Sequence, residues 1–135
     1  MSAGYSGTPL PKKLGIKEGC SVCYVNHPGE FEELLGELPG GVEVIADLEG
    51  PLDVIVCFTK NRRVFEQRLP ALRRALASDG GLWIAWPKKS SGVETDMTED
   101  VVRDVALPTG LVDNKVCAID ETWSGLRLVI RRELR

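Results

Sequence analysis

The sequence predicts an α/β fold in which helices cover a mostly parallel sheet that ends in an antiparallel hairpin. Two near-continuous apolar runs, 52–58 and 80–86, are typical of strands buried on both faces. Helical and strand patterns alternate along most of the chain, which is the order that builds parallel sheets. The last two predicted strands, 115–120 and 126–132, flank the short segment 121–125, and they predict the hairpin.

Length and composition restrict the class of protein. The chain has 135 residues, of which 43% are hydrophobic and 27% charged, as in ordinary globular domains. We therefore expect a single domain over 1–135, with a partly irregular segment at 1–19. No run approaches the roughly 18–20 apolar residues of a membrane span, and the N-terminal segment lacks the apolar core of a signal peptide. The expected location is the cytoplasm, without a membrane partner.

The first half of the chain contains short predicted elements. A helical turn is predicted at 11–14, which Gly15 ends. A short helix is predicted at 28–36, because this segment begins with proline and acidic residues and ends with glycine. The connection 46–51 is shorter than the dozen or so residues of a usual parallel crossover, so we expect this part of the fold to be shortened or rewired. The strands predicted here are 20–26, 42–45 and 52–58.

The second half has two longer helical patterns. Asn61 is the predicted cap of a helix over 61–76, and Pro70 inside it predicts a kink or two abutting helices. Asp96 and Glu99 have the spacing of a capping box and predict the start of another helix. The first of these helices has one apolar stripe at helical spacing, formed by Phe65, Leu69, Leu72 and Leu76.

Four cysteines, Cys20, Cys23, Cys57 and Cys117, raise the question of metal or redox chemistry. Cys20 and Cys23 have the C-x-x-C spacing of zinc and redox sites. They fall on a predicted strand, where residues three apart point to opposite faces. The sequence has no second pair of this kind, and His27 is its only histidine. We expect buried, inert thiols and no metal site.

Charge is unevenly distributed. Residues 60–91 carry eight basic side chains and two acidic ones, although the whole chain has a formal net charge of −3. A basic segment could bind a phosphorylated ligand or nucleic acid. The alternative is a solvated helix face whose arginines pair with acidic neighbours of the same fold. The acidity of the whole chain disfavours nucleic acid as a partner.

The carboxyl ends of the predicted strands are the expected place for a site, because parallel sheets bind ligands there. The segments 26–29, 59–61 and 87–92 and the side chain of Asp47 fall on this rim. Two cations and two hydroxyls in one rim loop suit an anion, although an ordinary solvated turn is an equal alternative. The predicted anion-binding residues are Lys88, Lys89, Ser90 and Ser91.

Several segments resemble known families. The passage 42–56 resembles class I S-adenosylmethionine-dependent methyltransferases. The second half of the chain resembles the same family, because a strand that ends at Trp86 is followed by a helix and a hairpin. This resemblance implies a truncated Rossmann-like, class I methyltransferase-like fold. Longer phrases are similar to an uncharacterised bacterial family, domain of unknown function 3052, which implies no activity. These phrases are 4–10, 86–92, 107–113 and 122–126.

The methyltransferase resemblance also implies cofactor-binding positions. The glycine-rich cofactor turn of that family corresponds here to 24–30, where His27 and Gly29 stand, and Asp47 corresponds to the carboxylate that holds the ribose. This sequence departs from the family because the turn has one glycine, and Pro28 offers no backbone donor. For this reason we expect no cofactor and disfavour S-adenosylmethionine.

The function predicted first is a non-catalytic binding or regulatory module on this degenerate fold, with no assigned catalytic residue. One alternative is a small S-adenosylmethionine-dependent methyltransferase that uses Asp47 for the ribose and His27 or the 88–91 loop for the substrate. The other is phospholigand or nucleic-acid binding through 60–91. The expected partner is a protein or a small anionic ligand. A homodimer through the strand edge at 42–45 or the helix 61–76 is also expected.

Overall fold

The computed structural model describes residues 8–135, so the first part of the segment expected to be irregular, 1–7, lies outside the described residues. One six-stranded sheet runs through this part of the chain in the order β2-β1-β3-β4-β6-β5. The strands β1 to β4 are parallel, β6 is antiparallel to β4, and β5 and β6 form a hairpin. This confirms the predicted fold class. The strands are β1 Ser21–Val25, β2 Glu43–Val44, β3 Leu52–Phe58, β4 Leu76–Pro87, β5 Leu111–Ala118 and β6 Trp123–Ile130.

Helices cover both faces of the sheet. The apolar sides of α3 and α4 pack with Ile55 on one face, and α1 and α2 pack with Val56 on the other. Among the described helices, none combines the length and the apolar content needed to cross a membrane. The helices are α1 Leu10–Lys13, α2 Phe31–Leu35, α3 Arg62–Ala75 and α4 Glu99–Ala106, with single 3₁₀ turns at Lys89–Ser91, Leu107–Thr109 and Arg132–Leu134.

Two details of the helices differ from expectation. The helix α3 runs through Pro70 without dividing into two helices, and Pro70 lies on its exposed side. The cap of α4 is Thr98, whose hydroxyl accepts a hydrogen bond from the Val101 amide at 3.1 Å. Asp96 instead accepts a hydrogen bond from the Arg62 amide at 2.8 Å, so it stabilises the start of α3. Both acceptors lie before a helical pattern, and only the tertiary contact decides which helix each one caps.

The alternation of side chains along the strands distributes the apolar residues between the two faces. Cys57 packs against α3 and α4, whereas Phe58 packs against α1 and α2. Cys20 and Cys23 lie on opposite faces as expected, and the four thiols are free. The C-x-x-C spacing therefore does not bring the two sulfurs together.

Because β2 is a short strand, it ends close to the level of the sheet at which β3 begins, so the connection between them is short. β2 and β3 lie on either side of β1. At one level of the sheet, Val22 of β1 pairs with Val44 of β2 and with Val54 of β3. The chain has to move sideways by two strand spacings, about 10 Å, and back by two residues, about 7 Å. Residues 45–51 span this distance without a helix, and Leu48 packs against the core on the α3 and α4 face. The expected shortening of this region is thus confirmed.

β2 forms one edge of the sheet, as expected. It contains two residues, and Val44 is 51% exposed. A very short edge strand offers few backbone groups for pairing with another chain. The homodimer stays a prediction.

The N-terminal cap of α3 gives a first test of the fold. The Asn61 Oδ1 accepts a hydrogen bond from the Val64 amide at 3.0 Å. We expect Asn61→Ala to lower the free energy of unfolding by about 1 kcal/mol, because an amide of the first turn loses its acceptor. Urea denaturation measures this loss. The matched control is Gln67→Ala, at an exposed position of the same helix, and equal stability of the two variants would contradict the capping role.

Candidate functional site

The switch point of the sheet lies between β1 and β3. From β1 the chain continues through α2 to one edge, and from β3 it continues through α3 towards the other edge. Ligands of such sheets bind outside the carboxyl ends of the strands at this point. Asn26, in the left-handed region with φ 55°, donates from Nδ2 to the Phe58 carbonyl at 3.1 Å. This hydrogen bond ties the ends of the two strands together.

A cavity of about 520 Å³ opens at the carboxyl end of β3. Its volume lies in the range of about 300–1,000 Å³ that is usual for small-molecule sites. The Thr95 hydroxyl donates to the Lys60 carbonyl at 2.6 Å, which fastens the loop before α4 to the end of β3. Each residue of the lining carries a polar or charged group, and the residues are Lys60, Asn61, Glu94, Thr95 and Asp96.

This cavity combines charges of both signs. Lys60 supplies an ammonium group, Asn61 an amide, and Glu94 and Asp96 two carboxylates. Asp96 is held in place because its Oδ1 accepts the hydrogen bond from the Arg62 amide. Such a set suits a zwitterionic ligand, whose carboxylate and ammonium groups need partners of opposite charge. The spacing of Asp96 and Glu99 predicted a cap, and no motif marked Glu94 or Thr95, although their position between β4 and the next helix was a usable signal.

His27 lies at the end of β1 on the side of α1 and α2. Its Nε2 is 3.0 Å from the Glu32 Oε1, and its side chain is 29% exposed. The ring makes edge contacts with Tyr24 and Phe31, with centroids 5.6 and 6.2 Å apart. Burial, and in second place Glu32, raises the pKa of Tyr24. The carboxylate and the two rings fix the orientation of the imidazole.

The other predicted cofactor residues are separated from one another. Gly29 is exposed and faces open space. β2 ends at the level of Val22, so the following loop crosses the middle of β1, where the Ala46 carbonyl is 3.9 Å from the Cys23 Sγ. Asp47 is exposed there, and its charge, after burial, contributes to the raised pKa of Cys23. The structure thus pairs His27 with Glu32 and places Asp47 near the middle of β1.

The loop predicted to bind an anion is largely occupied by its own hydrogen bonds. The Lys88 Nζ donates to the Asp120 carbonyl at 2.8 Å. The Ser91 hydroxyl donates to the Lys88 carbonyl at 2.6 Å and accepts from the Val93 amide at 3.1 Å. Lys89 and Ser90 are exposed. Anion binding by Lys88, Lys89, Ser90 and Ser91 stays a prediction.

The basic segment 60–91 does not present its cations on one surface. Arg62 pairs with Glu66 at 3.3 Å, and Lys88 binds the hairpin. Arg68 interacts with the thiol of Cys57 on the inner side of α3. Several of these side chains therefore stabilise the fold. The pair of Arg62 and Glu66 is of the kind expected for a solvated helix face whose arginines pair with acidic neighbours. Among residues 8–135, no group of three or more His, Cys, Asp or Glu side chains is placed to hold a metal ion.

Solved structures resemble the chain over most of its length. An S-adenosylmethionine-dependent methyltransferase from Aquifex aeolicus matches with a TM-score of 0.57 and 18% identity, covering 90% of this chain and 88% of that one. Magnesium protoporphyrin IX methyltransferase from Synechocystis, with bound S-adenosylhomocysteine, matches with a TM-score of 0.59 and 12% identity. The match covers 90% of this chain and 78% of that one. Aeropyrum pernix fibrillarin, in complex with natively bound S-adenosylmethionine, matches with a TM-score of 0.56 and 16% identity. The match covers 93% of this chain and 70% of that one.

These structures establish a methyltransferase-like Rossmann fold for the chain. No protein-family model and no curated protein matches it, so membership in the uncharacterised bacterial family stays a prediction. The expectation that no cofactor binds is corrected, because similar structures hold S-adenosylmethionine or S-adenosylhomocysteine. That expectation rested on one turn, 24–30. The cavity beside β3 lies outside that turn, and its mixed charges fit the amino-acid end of such a ligand.

Proposed function

We propose that the chain is a small S-adenosylmethionine-dependent methyltransferase whose cofactor binds in the cavity at the carboxyl end of β3. The observation that carries the proposal is this polar cavity of about 520 Å³ beside the switch point of a methyltransferase-like sheet. It supports the methyltransferase alternative over a non-catalytic module. When bound, the cofactor supplies an electrophilic methyl group on a sulfonium.

The residues of the cavity have distinct roles in this proposal. Lys60 binds the carboxylate of the methionine end, and Glu94 binds its ammonium group. Asp96, oriented by the Arg62 amide, would add a negative charge that attracts the positively charged cofactor. Asn61 offers an amide oxygen and nitrogen to the remaining polar groups of the ligand, beyond its role as a helix cap.

A second part of the proposal concerns His27, which lies at the end of β1 and does not line this cavity: it is the proton acceptor for a methyl acceptor bound at that neighbouring strand end. A methyl acceptor with an O–H or N–H group has to lose a proton, and a positioned histidine is the commonest base for that task. The Glu32 Oε1 lies 3.0 Å from the His27 Nε2, so in this proposal Glu32 is a positioning residue that orients the ring and leaves Nδ1 to take the proton.

Calorimetric titration tests the proposal. We expect S-adenosylmethionine and S-adenosylhomocysteine to bind with micromolar affinity, on the order of −8 kcal/mol. Lys60→Gln and Glu94→Gln should each weaken binding about tenfold or more, since each removes one charge-assisted contact worth roughly 1.5–3 kcal/mol. Lys89→Gln, which removes an exposed cation elsewhere on the rim, is the control and should bind like the wild type. Absence of binding at millimolar ligand, or equal affinity of all three variants, would contradict the assignment.

A further inference from the structure

A second cavity lies at the opposite end of the sheet, near the amino ends of the parallel strands. Its volume is about 390 Å³. Cys20, just before β1, and Asp53, near the start of β3, belong to its lining. Five basic side chains line it from three separate stretches of the sequence: Lys12, Lys13, Lys17, Lys115 and Arg127.

The positive charge of this cavity is not balanced by its two carboxylates. Asp53 uses its Oδ2 to accept hydrogen bonds from the Ser21 amide at 2.9 Å and the Ser21 hydroxyl at 3.2 Å. Asp79, the other acid, is exposed. None of the ion pairs in the described part of the chain includes Lys12, Lys17, Lys115 or Arg127.

Two of these cations face each other across the hairpin. Lys115 and Arg127 are register partners of β5 and β6, so their side chains leave the same face of the sheet side by side. Like charges in this arrangement destabilise a sheet. The Lys115 Nζ donates to the Lys13 carbonyl at 3.3 Å, and the Arg127 Nη1 donates to the Asn114 Oδ1 at 3.4 Å. An anion between them would remove the repulsion.

Gly81 makes room for the guanidinium in the floor of the cavity. A methyl group at Gly81 would collide with the Arg127 Nε and would stand 2.8 Å from its Cζ. The guanidinium therefore lies flat against the backbone of β4. Burial, followed by the charge of Arg135, lowers the pKa of Arg127. This is a partly desolvated cation without a carboxylate partner, at the base of a basic cavity.

We propose that this cavity binds a small ligand that carries two phosphate groups. The planar guanidinium donates two parallel N–H hydrogen bonds to one phosphate. The lysine ammonium groups bind a second phosphate as point charges. Five cations and two carboxylates line the cavity, so its positive charge exceeds its negative charge. Two linked phosphates balance this excess of positive charge better than one phosphate does. Among the lining residues that the structure describes, none is aromatic, so they offer no surface on which a nucleobase would stack.

Titration of the full chain with inorganic pyrophosphate tests this site. We expect pyrophosphate to bind at least tenfold more tightly than inorganic phosphate, and its affinity to fall as salt is raised, because the attraction is between unlike charges. Lys115→Gln and Arg127→Gln should each weaken pyrophosphate binding at least tenfold. Gly81→Ala should also weaken it, since it displaces the guanidinium while every charge is kept.

Controls separate the site from general attraction to a basic surface. Arg63→Gln removes one exposed cation at the start of α3, at the other end of the sheet, and should leave pyrophosphate binding unchanged. Circular dichroism establishes that each variant is folded, and binding of S-adenosylmethionine should be unaffected by Lys115→Gln. A pyrophosphate dissociation constant above about 1 mM, or equal weakening by Lys115→Gln and Arg63→Gln, would overturn the proposal.

Discussion

Trp83→Ala is expected to lower the free energy of unfolding by about 3–5 kcal/mol, a large part of the about 5–15 kcal/mol that is usual for a domain. Trp83 is fully buried on the α1 and α2 face of β4. Gly125 on the neighbouring strand leaves room for the ring, since a methyl group there would stand 3.1 Å from the Trp83 Cε3. Removal of the indole opens a cavity in a core that is closed on all sides. Urea denaturation followed by circular dichroism measures the loss.

The hydrogen bond of the same side chain can be tested separately. The Trp83 Nε1 donates to the Leu14 carbonyl at 2.9 Å, and this contact joins the end of α1 to the sheet. Trp83→Phe keeps most of the apolar volume but leaves that carbonyl without its donor, so we expect a loss of about 1–3 kcal/mol. Trp123→Phe, at a half-buried tryptophan of the hairpin, is the control and should lose less. A loss for Trp83→Phe no larger than that of the control would contradict the role of the hydrogen bond.

The buried thiol of Cys57 is expected to make the protein less stable at alkaline pH. Burial raises the pKa of Cys57 from 9.0 to about 11, and the nearby Arg68 opposes this only in part. Between these two values the folded state binds more protons than the unfolded state, so stability falls as pH rises. The loss attributable to this thiol should reach about 2 kcal/mol near pH 10.5, since one pKa unit corresponds to about 1.36 kcal/mol.

Cys57→Ala isolates this effect. The variant loses some stability at every pH because it removes buried volume. Its further loss between about pH 8 and about pH 10.5 should be smaller than that of the wild type by about 2 kcal/mol. Cys20→Ala, which removes a half-buried thiol, is the control and should lose as much as the wild type over the same interval. Parallel curves for the wild type and Cys57→Ala would contradict the prediction.

The sequence by itself determined the fold class and most elements. Apolar runs specify buried strands locally, and β3 Leu52–Phe58 has the predicted bounds without change. The cap at Asn61 is also a local property, because an amide side chain followed by a helical stripe satisfies the first turn of that helix. The rim of the sheet followed from strand direction alone, so the sequence indicated that Lys60 and Asn61 lie at a ligand-binding edge.

Only the tertiary structure decided which residues meet. Asp96 and Thr98 are both good cap residues, and the first stabilises a helix that begins 34 positions earlier in the chain. Arg127 and Lys115 have no local pattern in common, but the hairpin register places them side by side, with Arg127 above Gly81. Periodicity describes neighbours along one element, whereas a site is made by side chains from several elements. Their distances depend on register, on the lengths of connections and on packing, and a single sequence does not encode these in any short motif.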